Sequence, residues 1–371
     1  MGYISIFFHK GTDTMNLFGV LKDISTASKK SNRSWFTILL EIFMLRISSG
    51  KVGVHEYFAF HLYEKKSLTQ KKEFVGYRRE GELDKLFNRL SWHALVNDKL
   101  TFHALMNYAG FPVTKNYAFY CAGKRHFFGT THLEDNSDLQ VYLENSMKTP
   151  TFVKPLCGSC GKGIYRIDSI NTESQSVVLA GEGEVSFKNF ISMLDDTLIK
   201  LGNRGKYGYL FQECLKPHHL IEEKCGSGIS GVRLVILFDG ETYKIVNSTW
   251  KVIFGDNIVD NFVAGLTGNA IADICIETGK VKRVVQGNGL EEIELNELNG
   301  FKLPHWQEAK ALCLNAAQMF PELKYQHWDI ALTDQGPVAL ECNTSGGLAI
   351  VQIPRKEGVD NLVLRNAQSK L

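Results

Sequence analysis

The stretch His327-Trp-Asp-Ile-Ala-Leu-Thr-Asp-Gln-Gly-Pro-Val-Ala-Leu-Glu-Cys-Asn-Thr-Ser-Gly-Gly347 constrains the fold more than any other part of the chain. It reads as two short strands, Trp328–Leu332 and Pro337–Glu341, joined by a turn in which Asp334 and Gly336 supply the turn chemistry. Side chains alternate along a strand, so Glu341 and Asn343 face the same way, and pairing across the hairpin brings Asp329 beside them. Three oxygen donors then converge. Two carboxylates and an amide carbonyl with open positions suit Mg²⁺, which keeps waters and binds through one or two carboxylates plus substrate phosphates. The competing reading is an ordinary hairpin with an acidic residue at each end.

A chain of 371 residues with 44% hydrophobic content is long enough for two or three packed lobes. Lys and Arg number 42 against 40 Asp and Glu, so no overall field argues for nucleic acid or an anionic membrane. Eight cysteines lack a framework spacing and no secretory signal precedes them, which points to a reducing, cytoplasmic setting. The most apolar run, Trp35–Ile47, is broken by Glu41 and Arg46 and is too short to span a bilayer. It reads as a buried helix, with a helix lying on a membrane surface as the alternative.

Helical patterns are expected at about 14–29, 34–48 and 82–94, and no chemistry is legible in residues 1–95. The aromatic cluster Tyr57–Tyr63 reads as core, because no basic patch flanks it. A helix from Lys99 to Gly110 follows, capped by Asn97 or Asp98. Its Lys99 sits in the first turn, where a cation opposes the helix dipole unless an anion is bound nearby.

Val153-Lys154-Pro155 ends a strand and opens the loop Leu156-Cys-Gly-Ser-Cys-Gly-Lys-Gly163. Glycines at 158, 161 and 163 let backbone N–H groups turn toward a ligand, as phosphate-cradling loops do. A strand follows, so this is no Walker loop, and Cys157 and Cys160 have no second ligand pair to make a zinc site. Gly226–Gly231 matches the dinucleotide fingerprint by letter, but a strand follows where a helix is required. Arg233 lies in that strand, where an arginine among Val, Leu and Ile needs an anionic partner, a carboxylate or a phosphate.

In order, Asp98-Lys99, Val153-Lys154-Pro155 with its glycine loop, Gln212-Glu213-x-Leu215, Val232-Arg233, and Asp329 with Glu341-Cys-Asn343 resemble the ATP-grasp superfamily. The last motif is similar to D-alanyl-D-alanine ligases. The wider match, including Val259–Phe262, resembles the sugar-transfer associated branch. The resemblance implies an α+β fold with two lobes, 96–216 and 217–371, enclosing ATP, behind a mainly helical region, 1–95. It implies that Lys99 and Lys154 hold the α- and β-phosphates and that Gly158, Ser159, Gly161, Lys162 and Gly163 close over the triphosphate. Gln212, Glu213 and the backbone of Leu215 would meet adenine, and Asp329, Glu341 and Asn343 would carry two Mg²⁺. Arg233, Lys251 and Asn261 resemble groups around the γ-phosphate in glutamate-adding ligases.

The implied chemistry is phosphorylation of a carboxylate followed by attack of an amine, with a glycan-linked acid as the expected substrate. A kinase of the same fold and a nucleotide-binding module without catalysis are the alternatives. Two departures stand out. His327 replaces the arginine that D-alanyl-D-alanine ligases place two residues before the metal aspartate, and the acidic ribose contact falls near His218-His219, with Glu222 or Glu223 as substitutes.

Overall fold

Helices dominate the N-terminal region, in more pieces than periodicity alone indicates. The computed structural model describes residues 17–158, 161–255, 257–360 and 362–370. It begins with α1 (Leu17–Ser31), α2 (Trp35–Ile47), α3 (Val54–Ala59), α4 (Leu68–Lys72), α5 (Tyr77–Phe87), α6 (His93–Asn97) and α7 (Lys99–Tyr108). The short helices α3 and α4 were not expected, since six or five residues hold too few turns to show a 3.6-residue period. The Tyr57–Tyr63 cluster is core, with Tyr57 and Leu62 fully buried. Inside this region the buried Glu41 accepts hydrogen bonds from Arg33 Nη1 at 2.9 Å, Tyr57 Oη at 2.5 Å and Lys71 Nζ at 2.8 Å. That network ties α2 to α3 and α4, and it answers the charge of a carboxylate that burial would otherwise penalise.

Two seven-stranded sheets follow. The first comprises β1 (Asn116–Tyr120), β2 (Thr131–Leu133), β3 (Thr151–Pro155), β4 (Tyr165–Asn171), β5 (Ser176–Leu179), β6 (Gly183–Ser186) and β7 (Tyr209–Glu213), in the order β2-β1-β7-β3-β4-β5-β6. Helices α8 (Asn136–Asn145) and α9 (Phe187–Leu201) cover it, sharing one apolar cluster with its strands through Leu139, Phe190, Leu194 and Phe211.

After α10 (His219–Cys225), the second sheet comprises β8 (Val232–Phe238), β9 (Tyr243–Val252), β10 (Ala270–Ile274), β11 (Val281–Gln286), β12 (Ile293–Glu294), β13 (Tyr325–Thr333) and β14 (Gly336–Asn343), in the order β12-β11-β10-β9-β8-β13-β14. Its helices are α11 (Trp306–Ala317), α12 (Ala349–Arg355) and α13 (Leu362–Ser369). The run Val-Arg-Leu-Val-Ile-Leu of β8 is buried throughout and every residue of β13 is buried, including the polar Gln326, His327 and Asp329.

The chain order and the spatial order part company at α7. Phe102 and Met106 pack in the cluster of the second sheet with Trp250 and Trp328, the Phe102 and Trp328 rings lying 5.7 Å apart. The helix that presents Lys99 is therefore braced against the sheet that carries the terminal hairpin.

Candidate active site

The hairpin is longer than expected and its register shifts by one residue, since Ile330 pairs with Ala339 but Asp329 with Glu341, a bulge at Leu340 that brings Glu341 onto the Asp329 face. Asp329 pairs with Glu341 across β13 and β14, His327 pairs with Asn343, and on the other side Asp329 pairs with Arg233 of β8. Directly opposed residues share a face, so one carboxylate has a carboxylate on one flank and a guanidinium on the other. Arg233 grips Asp329 as a fork, Nε to Oδ1 at 2.7 Å and Nη2 to Oδ2 at 2.6 Å, while its Nη1 donates to the Gly346 carbonyl. Lys251 of β9 adds its Nζ at 3.1 Å from Asp329 Oδ2 and 2.9 Å from Asp260 Oδ2. Burial alone would push the Asp329 carboxyl up, yet Arg233 and Lys251 hold it well below the usual carboxylate range. The anionic partner anticipated for Arg233 is thus the Asp329 carboxylate.

Glu341 faces a different pair of cations. Lys99 Nζ lies 3.6 Å from its Oε2 and 3.5 Å from the Leu156 carbonyl, so a lysine at the start of α7 is aimed across the glycine loop at the hairpin. Lys154, at the end of β3, is pushed down to about 8 by burial and by the nearby charge of Lys99, with Glu341, Asp329 and Asp260 partly offsetting them. Four charged groups from α7, β3, β13 and β14 therefore act on one volume. Lys99 and Lys154 repel each other, an arrangement that an anion placed between them would relieve.

The donor set fits a hard divalent cation. Glu341 is held in its charged form, chiefly by Lys99 against the cost of burial. Asn343 donates its Nδ2 to Glu341 Oε1 at 3.0 Å, which turns its carbonyl oxygen away as a free acceptor. Asp329 retains lone pairs beyond those taken by Arg233 and Lys251. Oxygen donors of this kind suit Mg²⁺.

The glycine loop reaches the segment after β9. A side chain on Gly161, whose φ is +67°, would run into the Asn261 amide, so only glycine allows this approach. Gly163, at φ +68°, lies against Thr197 and the Tyr209 hydroxyl. Gly158 is half-buried, Lys162 is exposed, and Ser159 and Cys160 lie outside the described residues. Cys157 approaches the Asn97 carbonyl at 3.6 Å.

At the end of β7, Gln212 is buried and committed inward: its amide donates to Asn116 Oδ1 at 2.7 Å and lies 3.1 Å from His103 Nδ1. The His103 ring is held at both nitrogens, Nε2 facing the Leu340 carbonyl at 3.2 Å and Nδ1 lying 3.0 Å from Asn116 Oδ1. Glu213 accepts from the Lys115 N–H at 2.7 Å. Leu215 is half-buried in the linker, and Glu222 and Glu223 lie exposed on α10. Of the residues assigned to adenine, Gln212 is engaged in the core through its side chain.

Burial pushes His103 down to about 4 and His327 down to about 3. A depressed histidine is neutral in the folded chain while the unfolded chain takes up a proton below pH 6.5, so stability is lost as pH falls through that value and the loss levels off below the folded value. For His103 this amounts to about 3 kcal/mol between pH 6.5 and 4, with His327 acting in the same direction. Urea midpoints followed across that range should decline steadily, whereas they should change little between pH 7 and 8.

His327 occupies the position where an arginine was the precedent, and both its ring nitrogens lack a hydrogen-bond partner among the described residues. It packs edge-on against Tyr325, ring centroids 4.9 Å apart, under Gly346, where a Cβ would come within 2.6 Å of the ring. The guanidinium reaches Asp329 from the neighbouring strand instead.

Two supporting residues were not legible in the sequence. Glu80 of α5 accepts from the Ser345 hydroxyl at 3.0 Å and from the N–H groups of Gly347 at 2.7 Å and Leu348 at 3.0 Å. Asn88 donates to the carbonyls of Tyr325 at 2.7 Å and Thr344 at 3.2 Å. Both fix the chain leaving β14. Glu80 stands in Arg78-Arg-Glu-Gly-Glu82, which has the composition of a solvated helix face, so no local signal reveals it.

A family model described as sugar-transfer associated ATP-grasp matches residues 78–368. Among solved structures, the biotin carboxylase domain of a 2-oxoglutarate carboxylase from Hydrogenobacter thermophilus, described in complex with MgADP, ADP and bicarbonate, is 11% identical with a TM-score of 0.45, covering 79% of this chain and 52% of that one. The VanG D-Ala:D-Ser ligase from Enterococcus faecalis is 14% identical with a TM-score of 0.39, covering 75% and 61%. An L-amino acid ligase from Bacillus licheniformis is 11% identical with a TM-score of 0.40, covering 74% and 50%. The chain thus spans between half and two thirds of the length of these three structures. No curated protein matches the sequence.

Proposed function

Because the chain belongs to the sugar-transfer associated ATP-grasp family, we propose that it is an ATP-dependent carboxylate–amine ligase, working in the cytoplasm on a sugar-linked acid. The observation that carries this reading is the convergence of Lys99, Lys154, Asp329 and Glu341 on one volume, with Lys99 3.6 Å from Glu341. In this reading Lys99 and Lys154 hold the α- and β-phosphates of ATP between the lobes 96–216 and 217–371. Asp329, Glu341 and Asn343 would hold Mg²⁺, two ions as the family resemblance implies, and the metal would supply charge neutralisation on the transferring phosphoryl group.

The remaining groups position and shield. Arg233 and Lys251 fix the Asp329 carboxylate and add positive charge at the γ-phosphate. Gly161 against Asn261 closes the loop over the nucleotide, excluding the water that would hydrolyse an acyl phosphate. Adenine lies at Glu213 and the backbone of Leu215, behind the Gln212 amide. A cleft with a cavity volume of about 50 Å³ is bordered by Phe60, Tyr77, Phe262, Val263 and Gly347, one residue beyond the carbonyl that Arg233 holds. This reading places the acceptor beside that cleft, one wall of which comes from α3 and α5.

The test is ADP release from ATP and Mg²⁺ across a panel of uronic and amino acids paired with amines, followed by trapping with hydroxylamine. A hydroxamate formed with one acid and ATP is the expected result. A stable phosphorylated product that needs no amine would replace the ligase reading with phosphoryl transfer to an alcohol.

A further inference from the structure

We propose that the outer face of the α1–α2 hairpin seats this protein on an anionic lipid bilayer. The exposed large apolar side chains of α2 are Trp35, Phe36, Leu39, Leu40, Phe43 and Ile47, and Phe36 is 74% exposed and Ile47 69%. At 100° per residue Phe36, Leu40, Phe43 and Ile47 fall within about 60° of arc, opposite the buried Ile38, Ile42 and Leu45. A helix that is apolar on both sides needs two partners. Its inner side has one, the core that includes Tyr57 and Phe74. Rotation does not offer an escape, because turning α2 outward would break the Glu41 bonds to Arg33, Tyr57 and Lys71 and expose the inner residues in exchange.

The charge around this face selects the partner. Residues 17–51 carry six cations, Lys22, Lys29, Lys30, Arg33, Arg46 and Lys51, against Asp23 and Glu41. Glu41 is buried in its network and Asp23 is half-buried, while Lys22, Lys29 and Lys30 are exposed. Arg33 is paired with Glu41 and Lys51 with Glu82, so the exposed basic surplus is that of Lys22, Lys29 and Lys30 on α1, in the hairpin that carries the apolar face, while outside residues 17–51 the chain is slightly acidic. On α1, Lys22 and Lys29 lie within about 40° of the 84%-exposed Phe18, the arrangement in which lysine stems extend past an apolar surface toward headgroups. A second copy docking through the same face would set lysine against lysine, whereas acidic lipids complement it.

The helix lies on the bilayer and does not cross it. With 13 residues α2 is roughly 20 Å long, short of the roughly 30 Å hydrocarbon core, and among the described residues no helix is long and apolar enough to cross a membrane. The outer side chains enter the headgroup boundary while the rest of the protein stays in water.

The test is flotation of the full chain with phosphatidylcholine vesicles, with and without about one third phosphatidylglycerol. The chain should float with the anionic vesicles and be released by salt. The double variant Phe36→Glu, Phe43→Glu alters only exposed positions, so its thermal unfolding should match wild type while its bound fraction falls at least about tenfold. Wild-type protein that stays unbound with both vesicles, or a double variant that binds as well as wild type, would overturn the proposal. So would a stable wild-type dimer in solution that the double variant dissociates, and equal flotation on neutral vesicles would overturn the anionic preference. Flotation involves no nucleotide, so its failure leaves the ligase reading intact, and a failed ADP assay leaves this one intact.

Discussion

Asp329→Asn is expected to lower turnover by at least about three orders of magnitude, the scale of a lost metal-ion contribution of several kcal/mol. Its effect does not stop at chemistry. Viewed from the sequence, a carboxylate-to-amide swap conserves volume and should leave the fold nearly intact. The structure corrects that expectation, because Asp329 is 3% exposed and answers both the Arg233 fork and Lys251. An amide leaves two buried cations without their shared counter-ion, a change on the order of 3–5 kcal/mol. Denaturant unfolding should show that loss alongside the missing turnover, and an Asp329→Asn protein with wild-type stability would remove the ion network from the account.

Glu341→Gln should separate the two effects. Turnover again falls by at least about two orders of magnitude, since the second carboxylate toward the metal is gone. Stability should stay within about 1 kcal/mol of wild type, because the closest cation, Lys99, stands 3.6 Å away and retains the Leu156 carbonyl. Steady-state kinetics and urea unfolding on the same preparation check both halves. Unreduced turnover in this variant would displace Glu341 from the metal site.

The contrast shows what a sequence exposes and what it conceals. The hairpin itself was legible from two strands and a turn, but the Asp329–Glu341 pairing depends on a one-residue bulge at Leu340 that alternation does not show, since a regular register would set Asp329 opposite Leu340. The strand character of the segment after Gly231 was legible from its short apolar run. That Arg233 meets Asp329 was not, since it depends on β8 lying beside β13 across 96 residues of chain. Only the need for some anionic partner could be stated beforehand. The inward commitment of Gln212 escaped notice because His103 and Asn116, its partners, come from α7 and β1 and carry no motif. Glu80 and Asn88 were hidden most completely. They act by accepting and donating backbone hydrogen bonds at a distant loop, and such roles leave no periodicity and no spacing.

Those last two residues bear on how the protein may be dissected. Glu80 and Asn88 clasp the exit of β14 from outside the sheet, so the N-terminal helices serve as its scaffolding rather than as a detachable accessory. Trimming the chain to begin at Asp98 would retain every residue assigned to nucleotide and metal, yet strip the moorings of the loop that follows them. A shortened version intended for crystallisation or reassignment of substrate therefore has to keep α5 and its continuation through Asn88.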